Sequence, residues 1–235
     1  MAIGRLAGLM VLGALLTVAA GCNSPSQRIE ELSTSPEATG GLAAEEIQVR
    51  DTGFVWDGET LSYAFTAQNI SEDTSMEEAL VQINVYGLND EPIAGDTAVI
   101  DFVLPGQVVA YAAHLALREE PGRIALSFTA EDTATVKAAR TFEPVSGKYE
   151  TTNYGGRVIA AINNPYEREL RRLKVVAILR GEDGKILSGG GTVLELLPAH
   201  GESAVTIDIL GTSQVPPAQV EVYTMFSAET VFRLE

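Results

Sequence analysis

Cysteine occurs once in this 235-residue chain, at position 22, and histidine twice, at His114 and His200. One thiol excludes an internal disulfide, and neither histidine sits in a spacing suited to zinc, so stability has to come from packed apolar cores. Basic side chains are also scarce, with 16 Lys+Arg against 32 Asp+Glu and a formal net charge of −16. Such a field repels a phosphate backbone, which excludes nucleic acid as a partner. No Gly-x-Ser-x-Gly elbow is present for an acyl-transfer serine. No enzyme, cofactor or small-molecule ligand is therefore expected.

Long apolar runs are equally rare. The one at residues 6–20 is short against the ~20 residues that span a bilayer. It follows a positively charged start, residues 1–5, and leads through Ala19-Ala20-Gly21 directly into Cys22. Charge, apolar segment and small-residue cleavage site are the layout of a secretory signal. With the cysteine placed as it is, the stretch resembles a bacterial lipoprotein signal peptide, although Ala19 stands where leucine is usual. That resemblance implies cleavage between Gly21 and Cys22, with diacylglycerol and a palmitate-class acyl chain on Cys22. One acyl chain holds a protein only marginally at a membrane, whereas two or three hold it firmly. Asn23, rather than Asp, after the cysteine favours the periplasmic face of the outer membrane if the host has two membranes.

Residues 22–46 are rich in Ser, Pro, Glu, Thr and Gly and are expected to form a flexible linker. From Ile47 the apolar period becomes two. Short alternating runs at 47–49, 61–65, 81–86, 100–102, 109–115 and 124–128, with turn chemistry at Asp57-Gly58 and 88–92, predict an all-β sandwich over 47–139. The second half repeats this order over 142–235. Gly155-Gly156 stands where Asp57-Gly58 stood, Asn164 where Asn69 stood, and Leu197-Pro198 with Gly201 where Leu104-Pro105-Gly106 stood. The expected organisation is thus residues 1–21 as signal, 22–46 as linker, and two sandwich repeats. Residues 22–139 hold 5 basic and 20 acidic side chains, and residues 140–235 hold 10 and 12, so the first repeat is the acidic one.

The order of apolar strand, Asn, polar loop, alternating strand, turn and Leu-Pro-Gly resembles FxLYD-type domains of bacterial and archaeal envelope proteins. The resemblance implies small immunoglobulin-like β-sandwiches, often lipid-anchored, and carries over no functional residue. The naming motif is imperfect: Ile83-Asn84-Val85-Tyr86-Gly87 keeps the Tyr but lacks Phe and Asp, and Ala177-Ile178-Leu179-Arg180-Gly181 keeps only the Leu.

Candidate sites are few. Glu72 and Asp73, with Glu77 and Glu78, and Asp90 with Glu91 and Asp96 form two acidic groups. Were they to converge at one end of the first sandwich, they would offer the oxygen ligands that calcium takes, although no Asp-x-Asp-x-Asp-Gly spacing is present. Arg168, Arg171, Arg172 and Lys174 form the basic concentration, read as a solvated face or as a docking patch for the acidic first repeat of a neighbouring molecule. Gly189-Gly190-Gly191 lacks the ending of a phosphate loop and reads as a flexible strand connection. His114 shares a face with Ala110 and Ala112 that is expected to meet solvent, and His200 lies in a turn. Trp56 with Phe54 reads as either a plug at the sandwich end or an aromatic platform. The expected function is a lipid-anchored envelope protein whose non-catalytic modules bind or scaffold an envelope protein partner. The alternative is a solute- or cation-binding lipoprotein that uses the acidic loops.

Overall fold

The computed structural model describes residues 42–43, 46–135, 140–153, 155–210 and 216–231. Residues 1–21, including the expected signal, and Cys22 lie outside them. The described chain is all-β and built from antiparallel sheets. The first seven strands are β1 (Leu42–Ala43), β2 (Ile47–Trp56), β3 (Thr60–Asn69), β4 (Thr74–Gly87), β5 (Pro92–Val103), β6 (Val108–Ala116) and β7 (Pro121–Thr135). Sheet I has the order β1-β7-β4-β5 and sheet II the order β2-β3-β6.

Seven further strands follow: β8 (Val145–Ser146), β9 (Lys148–Thr152), β10 (Gly155–Asn163), β11 (Leu170–Arg180), β12 (Ile186–Leu197), β13 (Glu202–Ile209) and β14 (Gln219–Met225), then a short helix α1 (Ala228–Val231). Sheet III has the order β12-β11-β14-β8 and sheet IV the order β13-β10-β9. Each strand of the first seven thus has a counterpart at the same place in the second seven. Leu42 and Ala43, expected in the linker, instead form the short edge strand β1, paired with Ala130 and Thr129 of β7.

Turn chemistry fixes the hairpins. Asp57 Oδ1 accepts hydrogen bonds from the Glu59 and Thr60 amides at 3.0 and 2.7 Å, and Gly58 supplies a positive φ of 103°. Those two amides hold the Asp57 carboxyl below its ordinary pKa. Asn69 and Asn164 do equivalent work at the other end. Both are buried; the Asn69 side-chain amide donates to Thr74 O at 2.7 Å, and that of Asn164 to Arg168 O and Pro198 O, each at 2.8 Å. Their Oδ1 atoms accept from the amides two residues on, Ser71 and Tyr166. Each asparagine replaces ladder bonds where the chain leaves one sheet for the next.

The cores set the layering. Leu61, Tyr63 and Phe65 of sheet II pack with Val81, Ile83 and Val85 of sheet I. Val158 and Ile162 of sheet IV pack with Val175, Ala177 and Leu179 of sheet III. Val176, Ile178, Ile186, Tyr223 and Met225 of sheet III belong to the first cluster, so sheet III is buried on both faces and lies against sheet II. The order of layers is I, II, III, IV. Strands β3 and β11 sit inside this stack, which is why their burial does not alternate.

Candidate functional site

The junction of sheets II and III is the most elaborated region of the molecule. Its sheet II side is made of small residues, Ala64 of β3 and Ala110 and Ala112 of β6, with Ser62 and His114 beyond them. This is a correction to the sequence reading, which put the Ala110, Ala112 and His114 face in solvent: sheet III covers it. Alternation along a strand separates two faces but does not say what packs on either.

Gly189-Gly190-Gly191 is likewise no flexible connection. All three residues lie within β12, opposite Ile178, Ala177 and Val176 of β11. A Cβ on Gly189 would fall 2.7 Å from the Ala112 Cβ and 3.2 Å from that of Ala64, and one on Gly190 would fall 2.5 Å from Asp208 O on the opposite side. Neighbouring glycines therefore let sheet III approach sheet II on one face and sheet IV on the other. Gly53 of β2 does the same against Ile186, whose carbonyl oxygen lies 2.2 Å from the position a Cβ would take.

Polar contacts fasten the same junction. Arg180 of β11 donates to Asp51 of β2 and, at 2.9 Å, to Glu221 Oε2 of β14. Burial opposes the charge on this guanidinium, yet the two carboxylates outweigh it and raise the pKa above the ordinary arginine value. Lys174 Nζ lies 2.8 Å from Asp101 Oδ1 of β5, and the Ala228 amide at the start of α1 donates to Asp101 Oδ2 at 3.4 Å. Ser62 Oγ lies 2.9 Å from His114 Nδ1 and 3.4 Å from Leu210 O. Burial pushes the His114 pKa down.

The sequence-predicted residues distribute as follows. Glu72 and Asp73 precede β4, whereas Asp90 follows it and Asp96 pairs with Ile83. A strand of 14 residues, roughly 45 Å at ~3.4 Å per residue, separates the two loops, so the acidic groups do not converge and the expected cation loop is not formed. Asp90 is instead bonded to Arg123 at 2.6 Å, Asp96 accepts from Tyr63 Oη at 2.6 Å, and Asp73 accepts from Thr74 Oγ1. No group of three or more metal-ligating side chains occurs among the described residues. Within the basic concentration, Arg171 pairs with Glu169 at 2.6 Å. Lys174 docks on the acidic first set of strands of its own chain through Asp101. Trp56 is half-buried against the first core and its indole N–H donates to Leu117 O at 2.9 Å, the plug rather than the platform. His200 is exposed, at a positive φ of 48°.

No family model matches the chain. No curated protein matches it either. Among solved structures it is similar to the transglutaminase of red sea bream, at 9% identity and a TM-score of 0.23, over 77% of this chain and 31% of that one. It is also similar to the C-terminal globular domain of an oligosaccharyltransferase from Pyrococcus abyssi, at 9% identity and a TM-score of 0.16, over 77% of this chain and 48% of that one. The chain thus spans less than half the length of either, and likeness of this degree carries no argument about activity.

Proposed function

We propose that this chain is a lipid-anchored, non-catalytic envelope protein whose two immunoglobulin-like, FxLYD-type bodies act together as a rigid module for binding or scaffolding another envelope protein. Supporting the anchor is the order of residues 1–22, which ends on the lone Cys22 and is followed by Asn23. The destination is the periplasmic face of the outer membrane where the host has one. The observation that carries the scaffold reading is the fastened junction of sheets II and III. Close approach at Gly53 and Gly189, with ion pairs from Arg180 and Lys174, resists the hinge motion that a two-body chain otherwise allows. A stiff stack holds a distant surface at a fixed height above the membrane.

Two measurements test this. Mass spectrometry of the mature protein is expected to find an N-terminus at an acylated Cys22; any other N-terminus sinks the anchor. Crosslinking in intact envelopes is expected to enrich one protein partner with the wild-type chain and to lose it with secreted Cys22→Ser. No enrichment in either form sinks the scaffold.

A further inference from the structure

The junction of sheets II and III is tight at Gly189 and open two residues further along the same face. A Cβ on Gly191 would meet only Val175 O at 3.7 Å and Val176 Cγ2 at 3.8 Å, with no atom of the first seven strands in reach. Ala110 and Ala112 stand opposite with equally little side chain. The result is a groove of about 280 Å³ along the free edge of β6, walled by β5, β11, β12 and β14. Its mouth is flanked by Val99 and Val193, which are 46% and 44% exposed. Clefts between packed bodies are preferred sites for small ligands.

Lys174 is the one charged side chain in the lining. Asp101 accepts one hydrogen bond from its ammonium, and that carboxylate also accepts one from the Ala228 amide. The ammonium carries three N–H donors and Asp101 occupies one, so the others can give a carboxylate head charge-assisted hydrogen bonds at the slot. At the ~30 Å³ that a water-sized group occupies, the slot holds roughly nine methylenes. We infer that the groove binds a single-chain alkyl carboxylate of medium length, its tail on Gly191 and Ala112 and its head at Lys174. This goes beyond the scaffold reading and does not depend on it.

Calorimetry on the full-length Cys22→Ser chain, free of its own lipid and of detergent, tests the inference with decanoate below its micellar concentration and with decanol. Decanoate is expected to bind. Gly191→Leu, whose Cβ meets nothing nearer than 3.7 Å, is expected to fill the slot and weaken binding at least about tenfold, or 1.4 kcal/mol, while the melting temperature stays level or rises. Lys174→Met is expected to weaken decanoate about tenfold and decanol less than about twofold, with Lys174→Arg restoring decanoate. No heat with decanoate, or binding that Gly191→Leu leaves intact, overturns the site. Equal losses for decanoate and decanol in Lys174→Met overturn the carboxylate assignment.

Discussion

Gly189 of β12 and Ala112 of β6 meet across the junction of sheets II and III so closely that a Cβ on the glycine would stand 2.7 Å from the Cβ of the alanine. Ala177 O lies at the same 2.7 Å from that position, so the backbone would have to relieve two close contacts at once. Gly189→Ala is therefore expected to cost about 1–3 kcal/mol through overpacking. Gly191→Ala, whose new methyl meets nothing nearer than 3.7 Å, is expected to be neutral or to gain up to ~1 kcal/mol from the stiffer unfolded chain. Urea midpoints of the two variants decide the point. Equal effects would mean that the close approach at Gly189 does not hold the sheets in register.

The junction also marks where the sequence stops being legible. Period-two alternation and Asp-Gly turns were enough to read the β architecture, because a half-buried strand must segregate its faces. The identity of what covers a face is not local information. Ala110 and Ala112 carry no polar group that demands water and no bulk that demands a core. The available signals were three glycines inside a β-branched run and the unbroken apolar stretch at 175–179, which mark close backbone approach and burial on both faces. The groove beside Gly191 was not readable at all, since its walls come from five strands distant in sequence.

Arg180 joins β2, β11 and β14, and its side chain is only 12% exposed. Arg180→Met is expected to destabilise by about 2–4 kcal/mol, because Glu221 is left partly buried without its counter-ion. Adding Glu221→Gln to Arg180→Met is expected to recover part of that loss. A double-mutant cycle in urea measures the coupling, and additive effects would show that the pair within sheet III contributes nothing to stability.

His114 makes the junction sensitive to acid. Burial lowers its folded pKa below the 6.5 of the free side chain, so as pH falls the unfolded chain takes up the proton first. The contribution is fully present above about pH 6.5 and is lost as pH falls from there through the folded value. Many carboxylates titrate below this window and mask it, so the measurement is a difference. Wild type and His114→Gln are compared in urea at pH 8 and pH 5.5, and wild type is expected to lose more stability on acidification. Parallel losses would remove His114 from the account.

Asn69 and Asn164 test whether the two sets of strands are closed by the same device. Each is buried and spans the point where the chain passes between sheets. Replacing either by Ala orphans carbonyls and an amide that water reaches poorly, at an expected cost of about 2–3 kcal/mol. They sit in different sandwiches with no shared partner, so the double variant is expected to be additive. A much smaller cost at one site would show that its loop finds other bonds.

Ser188 offers the opposite sign. Its side chain is 1% exposed and points into the second core, on the Gly190 side of β12, and its Oγ has no hydrogen-bond partner. A buried hydroxyl without a partner costs about 1–3 kcal/mol of desolvation, whereas the methyl of alanine at the same place has nothing to satisfy. Serine and alanine differ little in volume, so the exchange opens no cavity of consequence. Ser188→Ala is therefore expected to raise stability by about 1 kcal/mol, read as a higher urea midpoint at unchanged slope. A lower midpoint would mean that the hydroxyl is satisfied in solution, and that the serine belongs to the core as a hydrogen-bonding group rather than as a small one.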